Sequence, residues 1–252
     1  MIVSCRRAAL GALLTVLCLP AASLHAQSYS ALAFDNATIQ PGGPRPFSNG
    51  KNFFNMEGIN NNNFSSFGVA DFHIGDLVDG SGNPMPSAPT GLNSITITLT
   101  QANASFTTAG LLNFYLAEDT TTSIQPNDAA VIFDLTDPSG EGLNGQNAPM
   151  QLSPLHLLGS GMFTGTPNPN DTTGTMDTFT FPPDSTTQLD PATVAYVLAI
   201  FANADPSTPT PLRIVVTPPD PNVAATYAGY TNTMYNGIAV VGPTLTLNVS
   251  FN

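Results

Sequence analysis

The chain has no tryptophan, two cysteines and five basic residues among its 252 positions. Each scarcity excludes something. Both cysteines, Cys5 and Cys18, lie in a segment that reads as an export signal. Residues 27–252 therefore offer no disulfide, no thiolate nucleophile and no thiolate metal site. Removing that segment also takes Arg6 and Arg7, leaving Arg45, Lys51 and Arg213 as three basic residues against 17 acidic ones, hence a net charge of −14. Nucleic-acid binding needs clustered Lys and Arg to replace phosphate counterions, and the chain has no such cluster. Attraction to an anionic membrane surface fails for the same reason. An acidic surface favours solubility and divalent cations instead.

The export signal is read from its order of parts. Arg6 and Arg7 precede an apolar run, Ala8 to Leu19, which is closed by Pro20 and small residues. Leu24-His25-Ala26 then forms a cleavage site before Gln27. A run of this length is short for a membrane span, which needs about 20 residues. Cys18 does not read as a lipidation site, because Leu17 stands where a small residue is required. The expected product is a secreted single domain over 27–252, with no membrane contact after cleavage. A chain this long supports one sizeable core without disulfides.

What is abundant is alternation. In Gly91–Leu99 (G-L-N-S-I-T-I-T-L), Ile95, Ile97 and Leu99 interleave with threonines, as a strand with one apolar and one hydroxylated face requires. Pro243–Phe251 repeats the pattern with Leu245, Leu247, Val249 and Phe251. Further strands are expected over Ser30–Ile39, Lys51–Gly58, Ser65–Ile74, Val131–Leu135 and Arg213–Thr217. Leu111–Glu118 is expected to pair with Gly91–Leu99 as a meander, and Leu155–Phe163 with Thr175–Phe181 as a hairpin. Asn60–Asn63 reads as a solvated turn, Asp79–Pro89 and 136–150 as loops, and Asn222–Asn236 as mostly irregular. One short helix is expected near 191–203, with Asp190 as N-cap, Pro191 at its first position, and Val194, Val197, Leu198 and Phe201 on one face. The fold class is therefore all-β, a two-sheet antiparallel sandwich with a single helix.

Catalytic motifs are missing. Neither G-x-S-x-G nor H-E-x-x-H occurs, and beyond the signal segment only His73 and His156 remain, which read as half-buried hydrogen-bonding residues. Gly140 to Gly145 matches G-x-G-x-x-G, but Gln-Asn-Ala-Pro follows instead of the helix that would hold a pyrophosphate. Glu57, Glu118 and Glu141 are the only glutamates, so a glycosidase-like carboxylate pair is the least favoured reading. No catalytic residue is nominated.

Two kinds of ligand site are nominated. Asp71, Asp76 and Asp79 lie near Gly80 and Asn83; Asp134, Asp137 and Glu141 form a second group; Asn168, Asn170 and Asp171 form a third. Such loops supply the carboxylate, amide and carbonyl oxygens that Ca2+ takes, although none has EF-hand spacing and Asp and Asn are also ordinary turn residues. Tyr227, Tyr230 and Tyr235 sit in a polar segment where an exposed ring would stack on a sugar. The threonine strand reads as scaffold, with recognition left to these loops and tyrosines.

Three pieces resemble the DNRLRE-type secreted bacterial β-sandwich modules and the jelly-roll carbohydrate-binding domains grouped with them: Phe67–Phe72 (F-G-V-A-D-F), Leu92–Leu99, and Gly242–Leu247 preceded by Val223–Tyr227. The chain also resembles exported bacterial proteins of the PEP-CTERM kind, without the C-terminal anchor and without a literal D-N-R-L-R-E string. The resemblance implies a jelly-roll-like sandwich with a non-catalytic structural or adhesive role outside the cell. Its partners would be extracellular polysaccharide or other surface proteins. The alternative it leaves open is a carbohydrate-binding module with one structural Ca2+.

Overall fold

A computed structural model describes residues 26–40, 43–45, 51–102, 107–124, 154–165, 174–182, 187–204 and 210–251. All of the expected signal segment but Ala26 lies outside these residues, as do the groups around Asp134, Asp137, Glu141 and Asn168–Asp171, the glycine motif at 140–145 and the strand expected at Val131–Leu135.

Two antiparallel sheets face each other. The first contains β1 (Ala26–Leu32), β6 (Gly91–Thr100), β9 (Met176–Phe181) and β14 (Thr244–Ser250), in the order β1-β14-β6-β9. The second contains β2 (Asp35–Gln40), β3 (Gly43–Pro44), β5 (Phe67–His73), β7 (Gly110–Ala117), β8 (Leu155–Phe163) and β10 (Pro211–Thr217), in the order β3-β2-β5-β10-β7-β8. Take β1, β5, β6, β7, β8, β9, β10 and β14 as eight successive strands. The first sheet is then ordered first, eighth, third, sixth, and the second sheet second, seventh, fourth, fifth. That is the jelly-roll arrangement. A short pair, β4 (Phe53–Glu57) with β11 (Ala224–Ala228), lies beside the two large sheets. A tight hairpin joins β12 (Met234–Tyr235) to β13 (Ile238–Ala239).

Alternation explains the layers. Ile95, Ile97 and Leu99 of β6, Leu245, Leu247 and Val249 of β14, and Phe179 and Phe181 of β9 enter the core. They meet Ala70 and Phe72 of β5, Leu112, Phe114 and Leu116 of β7, and Leu212, Ile214 and Val216 of β10. Each Val, Leu, Ile or Phe side chain among them contributes about 1.5–3 kcal/mol by leaving water. The second sheet also buries its outer face, where Ile39, Phe67, Val69, Tyr115, Ala117, Ile124 and Val215 cluster.

One expected strand and two expected pairings differ. Ser30–Ile39 is not one strand: it breaks at Ala33–Phe34, and its halves belong to opposite sheets. β7 pairs with β8 and β10 instead of β6. β8 and β9 form no hairpin, because they face each other across the core. Phe179 and Phe181 press onto β8 where it has glycine, and a Cβ at Gly161 would stand 2.2 Å from the Phe179 ring. The segment expected to be irregular, Asn222–Asn236, contains β11 and the first strand of the hairpin, which turns at Asn236-Gly237 with φ of 49° and 81°. Asn-Gly is the pair that such a left-handed two-residue turn demands.

The helix α1 (Pro191–Ala202) forms as expected. The Asp190 carboxylate accepts from Ala192 N at 3.1 Å and Thr193 N at 3.2 Å, satisfying two of the orphan donors of the first turn. Its buried face is Thr193, Val197, Ile200 and Phe201, while Val194 and Leu198 are half-buried. Among the described residues no helix is long and apolar enough to cross a membrane.

Candidate functional site

Asp71, one of the nominated ligands, serves another purpose. Strand alternation carries it to the buried outer face of the second sheet, opposite Arg213 in register. Arg213 Nε donates to Asp71 Oδ1 at 2.7 Å and Nη2 to Oδ2 at 2.8 Å, while Nη1 donates to the carbonyls of Asp119 at 3.0 Å and Thr122 at 2.9 Å. Burial pushes the Asp71 carboxyl up, and the hydrogen bonds and charge of Arg213 pull it down. With both oxygens held by a guanidinium, Asp71 is a structural anion, which corrects its nomination as a Ca2+ ligand.

The other nominated residues divide as follows. Asp76 is exposed and lies 3.4 Å from His73 Nδ1. Asp79 closes its own turn, Oδ1 accepting from Ser81 N at 2.8 Å and Asn83 N at 2.9 Å, and these bonds to Asn83 and Ser81 lower its pKa. No group of three or more His, Cys, Asp or Glu suited to a metal occurs among the described residues. Tyr227 is fully buried and donates to Asp177 Oδ2 at 2.8 Å, so it has no ring face to offer a sugar. The cause is again alternation, which points Tyr227 of β11 into the core. Tyr230 packs against the same core, and Tyr235 meets Phe53 edge-on at 5.6 Å between ring centroids. His156 Nε2 sits 2.7 Å from Glu118 Oε1, and its ring stacks on Tyr196.

The structure draws attention instead to the open face of the first sheet. Because Ile95, Ile97 and Leu99 of β6 are buried, Thr96 and Thr98 point outward, and the pairing registers set hydroxyls beside them on both β14 and β9. Ser30, Thr246, Thr96 and Thr180 form one row across all four strands. Thr244, Thr98 and Thr178 form the row on one side, and Ser28, Asn248 and Ser94 the row on the other. Rows repeat about every 6.8 Å along the strands and side chains about every 4.8 Å across them. Several neighbours are bonded: Ser30 Oγ to Thr246 Oγ1 at 2.7 Å, Thr96 Oγ1 to Thr180 Oγ1 at 3.0 Å, and Asn248 Nδ2 to Ser28 Oγ at 3.1 Å.

A bulge enlarges the array. The β6–β14 register shifts between Asn248 and Val249, so that Asn93 and Ser94 both reach the outer side. Asn93 Nδ2 then donates to Asn248 Oδ1 and Ser250 Oγ, each at 2.9 Å. Asp177 is the one charged residue in these four strands, and its carboxylate accepts from Gln101 Nε2 and the Tyr227 hydroxyl, each at 2.8 Å. A strongly acidic protein thus keeps one broad face free of strand-borne charge and lined mainly with hydroxyl and amide groups, with Leu32 and Met176 exposed at its edge strands.

No protein-family model matches this chain, and no curated protein sequence matches it.

Proposed function

We propose that this protein is exported and acts outside the cytoplasm as a non-catalytic structural or adhesive module, similar in kind to the DNRLRE-type sandwiches. Its contact surface is the Ser/Thr/Asn face of the first sheet, and its partner is a neutral polysaccharide. The uncharged rows centred on Thr96 and Thr246 carry the reading. A repeating set of hydroxyl donors and acceptors matches a surface that itself presents repeating hydroxyls. An anionic partner would find no cation on these rows and would be repelled by the net negative charge of the chain.

The test is co-sedimentation with an insoluble neutral glucan such as cellulose, in low and in molar salt. Binding should persist in high salt, because uncharged hydrogen bonds are not screened. Thr96→Lys and Thr246→Lys should remove it while leaving the melting temperature nearly unchanged. Binding abolished by salt, or retained in both variants, overturns the proposal.

A further inference from the structure

The outer side of the β4–β11 pair holds a cavity of about 270 Å3 that an adhesive sheet face does not use. β4 sends Phe54 and Met56 into the core, so Asn55 and Glu57 face the other way. Pairing sets Thr226 beside Asn55 and Ala224 beside Glu57. Arg45, just beyond β3, brings Nη2 to 3.7 Å from Glu57 Oε1. Asn61 and Phe64, from the short helical turn Ile59–Phe64, complete the wall, and Phe64 is 63% exposed.

Asn55 decides the chemistry. It is 4% exposed, and its Nδ2 donates to Glu57 Oε1 at 3.0 Å. An ionised carboxylate only accepts, so this bond sets which way the amide is turned. Asn55 Oδ1 then has no hydrogen-bond partner among the described residues. Buried acceptors are nearly always paired. Gln101, Thr193 and Thr217 also carry an unpaired buried oxygen, and of the four residues Asn55 is the one that lines this cavity, where a water or a ligand hydroxyl can supply the partner. The charged pair is also short of solvent. Burial pushes the Glu57 carboxyl up against the opposing effect of Arg45, and pushes the Arg45 guanidinium down against that of Glu57.

We propose that this cavity binds one small neutral polyhydroxylated molecule, a single sugar ring or cyclic polyol. Asn55 Oδ1 and the Glu57 carboxylate ask for hydroxyl donors, the Arg45 guanidinium asks for an acceptor, and a hydroxyl serves as either. Arg45 and Glu57 already balance each other, so the ligand brings no net charge. Phe64 gives the C–H face of a ring something apolar to lie against. The volume lies just below the range of drug-sized pockets, which suits one ring and not a chain. The site is independent of the threonine face.

The test titrates isotope-labelled protein with glucose, galactose and myo-inositol, and in parallel with glycine and alanine, following backbone NMR shifts. Shifts confined to β4, β11 and Ile59–Phe64, with a millimolar Kd, are expected for at least one sugar or polyol. Asn55→Ala should abolish them. Since that change alters a buried residue, Phe64→Ala provides a second variant at an exposed position, expected to weaken binding about tenfold. Comparing a sugar with its trisaccharide separates a free solute from a chain end. Absence of shifts at these residues with every sugar and polyol, or shifts with the amino acids only, overturns the proposal. Thr96→Lys should leave the titration unchanged, and Phe64→Ala should leave sedimentation unchanged, so either reading can fail without the other.

Discussion

Removing the Asp71 carboxylate should be among the most damaging single changes in the described part of the chain. Arg213 is 2% exposed, and in Asp71→Ala its guanidinium would keep only the Asp119 and Thr122 carbonyls as partners. Breaking a buried pair from one side costs about 3–5 kcal/mol, because the remaining charge stays out of water. Against a typical total of about 5–15 kcal/mol, that is a large share of the stability. With a urea m-value of about 2 kcal/mol/M, the midpoint should fall by about 2 M.

The double variant Asp71→Leu with Arg213→Met separates the cost of the orphaned charge from the worth of the pair. Apolar replacement of a whole buried pair is often neutral or better. Here it also removes the two donors that hold the 119–122 carbonyls, at about 1 kcal/mol each. The double variant should therefore lose about 2 kcal/mol, less than Asp71→Ala alone. Urea unfolding followed by circular dichroism measures all three proteins. A cost below about 1 kcal/mol for Asp71→Ala, or a double variant as damaged as the single one, would refute the reasoning.

Other outcomes follow from single contacts. Asp190→Ala removes both side-chain bonds at the start of α1 and should cost about 1 kcal/mol by thermal or urea unfolding, while Asp190→Asn should cost far less. Gly161→Ala drives a methyl group against the Phe179 ring and should destabilise by about 1–3 kcal/mol, with Phe179→Leu partly compensating in the double variant. Tyr227→Phe loses a bond to a carboxylate and should cost about 1.5–3 kcal/mol at neutral pH. Burial, followed by Asp177, raises the Tyr227 pKa well above 10.0, so its stabilisation is complete below that pH and is lost as pH rises through the folded value. The wild type should accordingly weaken more steeply in alkali than Tyr227→Phe. Asp119 behaves oppositely: burial pushes its carboxyl up, but hydrogen bonds from Thr122 and Thr121 outweigh this and hold it at about 2, against 3.8 unfolded. Its contribution is present above the unfolded value and lost as pH falls through the folded one, so Asp119→Ala should flatten that part of the acid-unfolding curve.

The parts of the fold legible in the sequence are those that local physics decides. Period-two alternation identifies β6 and β14 because one face of each is buried, and the Asp190-Pro191 pair identifies α1 because the cap acts on its own first turn. Partnership between strands is not local. β7 follows β6 closely in sequence yet pairs with β8 and β10, because the chain crosses to the other sheet between them. The crossing falls after an unbroken apolar run, Ala31–Phe34, followed by Asp35-Asn36, and nothing local says that the two halves join opposite sheets. The N-G turn at Asn236-Gly237 was readable, and its presence separates a hairpin from an irregular segment.

The same distinction governs the sites. Asp71, Asp76 and Asp79 are neighbours in sequence, but the strand directs Asp71 to Arg213, 142 positions away, leaving Asp76 and Asp79 on the surface. The hydroxylated face of β6 was visible as one stripe, whereas its extension into rows across four strands depends on registers with β14 and β9. The unpaired Asn55 oxygen had no signal at all, since it arises only where β4, β11 and Arg45 converge. These placements bear on each other. Of the basic residues Arg45, Lys51 and Arg213, two are engaged internally, Arg213 with Asp71 and Arg45 with Glu57. A chain that uses its few cations in this way has little with which to attract an anion. On the function proposed above, recognition falls to neutral hydroxyl and amide groups, which make up the Ser, Thr and Asn rows of the first sheet.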